Sequence, residues 1–249
     1  MEIKTLLKSN IKSHRGTGIG LFVLILLVSL SLGTVLAVWL NSSRYVDSEM
    51  DRLGYGDITA WISGLSDAAP LAEEISVLDE VDSVGVQSLI FSEYEIGDQE
   101  SDSEGQLITY EPENYPYKFF ADDLSGYQAA PAEIAQGEVY VSASMVSMFG
   151  VQVGDSIIFP IARSGGDMTF TVAGFYEDSF MGSSMIGMKG FLINEQDHEE
   201  IAGMIEESGV DSLAREGFML HISQVSGSAL TAAQFNAFLN ENTSLTSYV

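Results

Sequence analysis

From Ile19 to Leu40 the chain runs for 22 residues, fifteen of them Leu, Ile, Val or Phe, without one Asp, Glu, Lys, Arg or His. At about 1.5 Å per residue a helix of that length reaches about 33 Å, enough to cross a hydrocarbon core of about 30 Å. Leu, Ile, Val and Phe each favour insertion by about 0.3 to 0.6 kcal/mol near the helix centre, and no charge opposes them. The pattern predicts a transmembrane helix over residues 19–40. A cleaved secretory signal is the competing reading, because Val35 and Ala37 would occupy the −3 and −1 positions of a cleavage site. The apolar stretch before that site exceeds the roughly 7 to 15 residues of a signal's apolar region, so a retained anchor is expected.

The pattern changes on both sides of this stretch. Within residues 1–18, Ile3, Leu6, Leu7 and Ile11 recur at helical spacing beside Lys4, Lys8 and Lys12. That predicts a basic amphipathic leader able to lie in the membrane interface. Residues 41–249 hold no second apolar run of about 18 residues. Instead β-type and helical patterns follow one another. Strands are predicted over 57–63 (DITAWIS) and 84–96, with a helix over 70–78 carrying Pro70 in its first turn, a β-α-β opening. Residues 97–105 read as an acidic surface loop. A strand over 138–142 and a short helix over 143–149 end at Gly150, a residue that accepts the left-handed backbone. Turn signals at Gly154-Asp155 and at 163–167 bracket short β-prone pieces, and 168–175 reads as a strand. Strands at 191–194 and 218–223 and helices at 197–207 and 231–241 complete the series. Strands and helices mix without a regular βαβα repeat, so the fold class is α+β: one N-terminal transmembrane helix, then one sizeable domain or two small lobes.

Charge orients the span. Residues 1–18 carry net +3, whereas the chain after Leu40 sets 6 basic residues against 35 acidic ones. Because Lys and Arg flanking a span are retained in the cytoplasm, the leader is expected inside and the acidic remainder outside the cell membrane. So few cations exclude a nucleic-acid role, which needs a basic surface for phosphate. The absence of cysteine excludes disulfides, thiolate nucleophiles and Cys-ligated metal.

The order of these segments carries a resemblance. After an N-terminal span come a strand (138–142), a short helix, Gly150, the V-x-x-G-D turn Val151–Asp155 and the V-x-G strand Val172–Gly174. In that order the chain resembles the N-terminal half of MacB-like, FtsX-superfamily ABC transporter permeases, over most of residues 1–249. The resemblance implies a two-lobed extracytoplasmic α+β domain, one lobe built on β-α-β units and one smaller and strand-rich. It also implies partners: a cytoplasmic ABC ATPase subunit, a second permease copy, and motion relayed through the first helix. No G-x-x-x-x-G-K-[ST] phosphate loop occurs, so ATP hydrolysis would be supplied by a separate subunit. The family places three further spans after the external domain. This chain is therefore expected to be either an N-terminal fragment or a reduced, single-span relative, and the sequence leaves both open. A membrane-anchored binding or sensor protein without transport activity is the alternative function.

No catalytic, cofactor-binding or metal residue is assigned. There is no G-x-S-x-G elbow, and His14, His198 and His221 are scattered. Asp197-His198-Glu199-Glu200 lacks the H-E-x-x-H spacing and reads as the solvated first turn of a helix. Glu100, Asp102, Glu104, Gly105 and Glu111 fall at positions 1, 3, 5, 6 and 12 of a calcium-loop pattern, but Glu at 1 and 5 and the lack of flanking helices make 98–111 an ordinary acidic loop. Tyr115, Tyr117, Phe119 and Phe120, like Phe180, Met181, Met185 and Met188, are read as core packing before a binding surface. The segment 179–187 is flexible by composition and suited to contact a neighbouring subunit. Ser29, Gly33 and Ala37 share one helix face in the span and suit the close approach of a partner helix.

Overall fold

The computed structural model describes residues 15–249. The amphipathic pattern at residues 3–12 and His14 lie outside the described residues. Contacts divide the chain between Ser48 and Glu49.

Helix α1 (Arg15–Leu53) contains the whole predicted span and continues past it. Every residue from Ile19 to Leu40 is exposed. Water would not tolerate so long an apolar surface on a soluble protein, whereas lipid does. Among the described residues this is the one helix long and apolar enough to cross a membrane. Gly33 and Ala37 lie along a shallow groove with Leu30, Thr34, Val38 and Asn41; Ser29 is not among the lining residues.

From Glu49 onward the chain builds a sheet-rich α+β unit. Its elements are β1 (Ile58–Ser63), α2 (Ala69–Ser76), β2 (Val81–Ser92), β3 (Glu95–Ile96), β4 (Gln99–Glu100), β5 (Gly105–Thr109), β6 (Phe119–Phe120) and β7 (Tyr127–Gln128). There follow β8 (Glu138–Ser142), α3 (Ser144–Phe149), β9 (Ser156–Pro160), β10 (Asp167–Tyr176), β11 (Lys189–Ile193), α4 (Glu195–Ser208), β12 (Arg215–Gln224) and α5 (Ala232–Asn242). The strands form one sheet in the order β1-β12-β2-β5-β11-β8-β10-β9-β3-β4, with the β6–β7 hairpin attached to β10. Because β12 is antiparallel to both β1 and β2, the opening β1-α2-β2 unit is a split β-α-β with β12 inserted between its strands. At the other end β8 and β10 run parallel.

The two ends of this sheet carry separate cores. At the β1 end, Ile62, Leu71, Ile75, Leu220, Ile222 and Phe235 pack α2 and α5 onto one face. At the β10 end, Val139, Met145, Phe159, Phe170, Phe191 and Ile201 pack α3 and α4. The motif that carries the resemblance has physical reasons here. Gly150 ends α3 with φ 73° as expected. The sheet bulges between Val172 and Gly174, where a Cβ on Gly174 would come within 2.7 Å of the Tyr140 ring.

Three sequence readings change. Strand β2 ends at Ser92, and residues 95–100 form a separate small hairpin, so the acidic loop 97–105 contains strand β4 at its tip. Strand β5, unpredicted, is buried at all five positions and pairs parallel to β11. Asp197 is not solvated: it is 1 % exposed, and its carboxylate accepts the Gly137 N–H at 2.9 Å. It fastens the start of α4 to the turn before β8, and burial pushes its pKa up against that hydrogen bond.

Candidate functional site at the root of the long helix

The last turn of α1 is built into the sheet unit. Leu53 is fully buried and Met50 packs beside it on a cluster containing Leu89, Tyr117 and Met219. Helix growth stops at Gly54, which adopts φ 69°. Gly54 N–H donates to the Asp51 carbonyl and Tyr55 N–H to the Met50 carbonyl. These are the paired bonds of a Schellman termination, and Tyr55 belongs to the same cluster that Met50 packs against.

Glu49, 6 % exposed, is the charged centre of this root. Arg52 bonds its carboxylate at 2.7 Å, and Lys118, at the start of β6, bonds its other oxygen. Arg52 also donates to the Pro116 carbonyl. Lys118 reaches Glu177, just after β10, at 3.7 Å, and Glu177 accepts the Tyr127 hydroxyl at 2.9 Å. One buried carboxylate thus ties the helix end to the segment before β6 and, through Lys118, to the end of β10. A nearly buried charge tolerates this environment only with such partners.

The residue after the stop is clamped just as closely. The Tyr55 ring stacks between Phe180 (4.8 Å between centroids) and His221 (4.4 Å), and its hydroxyl meets that of Tyr117 at 3.0 Å. His221, on β12, contacts the Thr59 hydroxyl through Nδ1 at 3.0 Å and the Gln87 side-chain Oε1 through Nε2 at 3.5 Å. Burial pulls its pKa down to about 4, so the ring is neutral. Phe180 comes from the loop 178–188, held by the half-buried Asp178 and the fully buried Lys189. Asp178 accepts the N–H groups of Phe180, Met181 and Gly190, while Lys189 donates to the Met181 and Ser183 carbonyls at 2.7 Å each. Burial pushes the Asp178 carboxyl up and the Lys189 ammonium down, each opposed by the other's charge.

The sequence candidates divide accordingly. Tyr115, Tyr117 and Phe119 are buried in this aromatic cluster, Phe120 is half-buried, and Phe180 turns inward onto Tyr55. Met188 accepts from Gln106 at its sulfur, and Met185 is 94 % exposed. The calcium-pattern residues do not converge. Glu104 is engaged by both arms of Arg215, Glu111 accepts from Asn114, and Gly105 opens β5. Among the described residues no group of three or more His, Asp or Glu is placed to hold a metal ion. His198 and His221 sit on different elements, as their scatter implied. Sequence reasoning missed Glu49, Lys118 and Asp178. Nothing local sets Glu49 apart from Asp47 and Asp51 on either side of it.

No family model matches the chain, and no curated protein matches it. Solved structures do. The periplasmic region of MacB from Actinobacillus actinomycetemcomitans aligns with 77 % of this chain and 84 % of its own, at TM-score 0.35 and 12 % identity. The extracellular domain of the noncanonic ABC-type transporter YknZ from Gram-positive bacteria aligns with 74 % of this chain and 92 % of its own, at TM-score 0.34 and 11 % identity. The fold class itself rests on the strand order and register of this chain.

Proposed function

We propose that the chain is the membrane subunit of an ABC-type transporter or mechanotransmission complex, with its leader in the cytoplasm and its sheet unit outside. It relays motion from a separate cytoplasmic ATPase subunit to the extracytoplasmic domain, and a second permease copy packs along the Gly33–Ala37 groove. The observation that carries this reading is that one unbroken helix, Arg15–Leu53, holds both the apolar stretch and the buried Glu49. A simple anchor needs no such root, since a flexible linker would serve. The order of the strand, the Gly150 stop, the Val151–Asp155 turn and the Val172–Gly174 strand supports the family reading, and the basic leader supports the orientation.

The test is to purify the full chain from its native membrane after cross-linking and to assay the complex for a nucleotide-binding subunit and vanadate-sensitive ATP hydrolysis. We expect both, with hydrolysis altered when Glu49→Gln loosens the root. A chain that carries no ATPase after cross-linking would instead be a membrane-anchored binding or sensor protein without transport activity.

A further inference from the structure

An apolar groove opens where the tip of the β6–β7 hairpin overhangs the Val151–Asp155 turn. Leu124, Val146 and Val153 form its walls, Phe175 lies in its floor, and Asp122 and Asp123 stand at its rim. The floor belongs to the core, Phe175 being 2 % exposed, whereas Val153 is 42 % exposed. Leu124 is the one non-glycine with positive φ (56°) among the described residues. Its N–H donates to the Ala121 carbonyl at 2.8 Å, and Ala121 N–H donates to the Gly126 carbonyl at 2.9 Å. Glycine would make the same turn without strain. What leucine adds is an aliphatic surface on the groove wall.

Charge identifies the occupant. Asp122 and Asp123 are exposed, and the Asp123 carboxylate is fixed by the Ser125 N–H at 3.0 Å. Asp155, also exposed, accepts the Gln152 N–H at 2.8 Å on the same turn. None of the six basic residues after Leu40, Arg44, Arg52, Lys118, Arg163, Lys189 and Arg215, lines the groove. We propose that this groove docks a polypeptide segment of a partner protein that presents an aliphatic or aromatic side chain beside Lys or Arg. The apolar side chain enters between Leu124 and Val153, and the cation meets the rim carboxylates, which supply register and speed of encounter. This docking does not depend on coupling to an ATPase.

The probe is a fluorescein-labelled Lys-Leu-Phe-Lys-Lys amide, titrated by anisotropy against the full chain in nanodiscs of neutral phosphatidylcholine, with empty nanodiscs as blank. We expect saturable binding that weakens with salt and falls at least about tenfold in Val153→Ser and in Leu124→Gly. Asp122→Asn with Asp123→Asn should weaken it similarly, while Asp98→Asn with Glu100→Gln, the same charge change on the β3–β4 hairpin, should leave it within about twofold. Unchanged thermal midpoints certify that the groove variants fold. Absence of saturable binding, equal loss in the β3–β4 control, or equal affinity for Lys-Ser-Ser-Lys-Lys would each overturn the proposal.

Discussion

Two glycines, one residue apart, meet different constraints where the long helix turns into the sheet. A Cβ on Gly54 would find only the Asn114 carbonyl at 3.7 Å, so Gly54→Ala carries just the left-handed backbone penalty, about 1 kcal/mol. A Cβ on Gly56 would sit 2.6 Å from the Ile222 carbonyl, where β1 crosses β12. Gly56→Ala adds that clash to the same penalty and should cost about 3 kcal/mol. Urea unfolding of the two variants separates the contributions, and equal midpoints would mean the β12 contact yields freely. His221 sets a second expectation. Its folded pKa of about 4 lies below the ordinary 6.5, so the unfolded chain binds the extra proton between those values. Stability should therefore fall as pH drops from 6.5 toward 4, by up to about 3 kcal/mol from this ring. His221→Phe should remove that part of the acid slope. A variant with the wild-type slope would show that the loss arises elsewhere.

At the scale of elements, the root of α1 behaves as a small ionic joint between distant pieces of chain. Lys118→Met leaves Glu49 with Arg52 alone, and the loss should be about 2 kcal/mol, moderated because the Lys118 side chain is 29 % exposed. A double-mutant cycle with Glu49→Gln should return a coupling of about 1 kcal/mol or more. A coupling of zero would mean that Arg52 suffices. None of this was legible in the sequence, because Glu49 and Lys118 are 69 residues apart and nothing local marks them as partners. What was legible is local. Pro70, Gly150 and Gly154 announce their helix start, helix end and turn, and the alternation of 168–175 announces β10. Strand β5 escaped for the opposite reason: buried on both faces, GQLIT shows no alternation, and acidic residues frame it. The segment 179–187 reads as flexible from its glycines and serines, and the structure adds hydrogen bonds that link it to Asp178 and to the buried Lys189 on either side.

For the whole molecule, the sign change in charge across the apolar stretch makes a direct prediction. The chain has no cysteine, so Val210→Cys, at a position 96 % exposed, creates a single thiol on the sheet unit. A membrane-impermeant maleimide should label it in intact cells, and labelling only after lysis would reverse the orientation. The two lobes implied by the resemblance are the two ends of one sheet, each with its own core, a continuity that hydrophobic pattern alone does not reveal. Their junction is uneven. Strand β12 meets β2 over ten residue pairs, but β11 meets β8 over only two, Phe191 with Val141 and Leu192 with Tyr140. A tensile load between the β1 and β10 strands would find the fewest teeth at that narrow seam, and the sheet would begin to unzip there while the ten-pair ladder stayed closed.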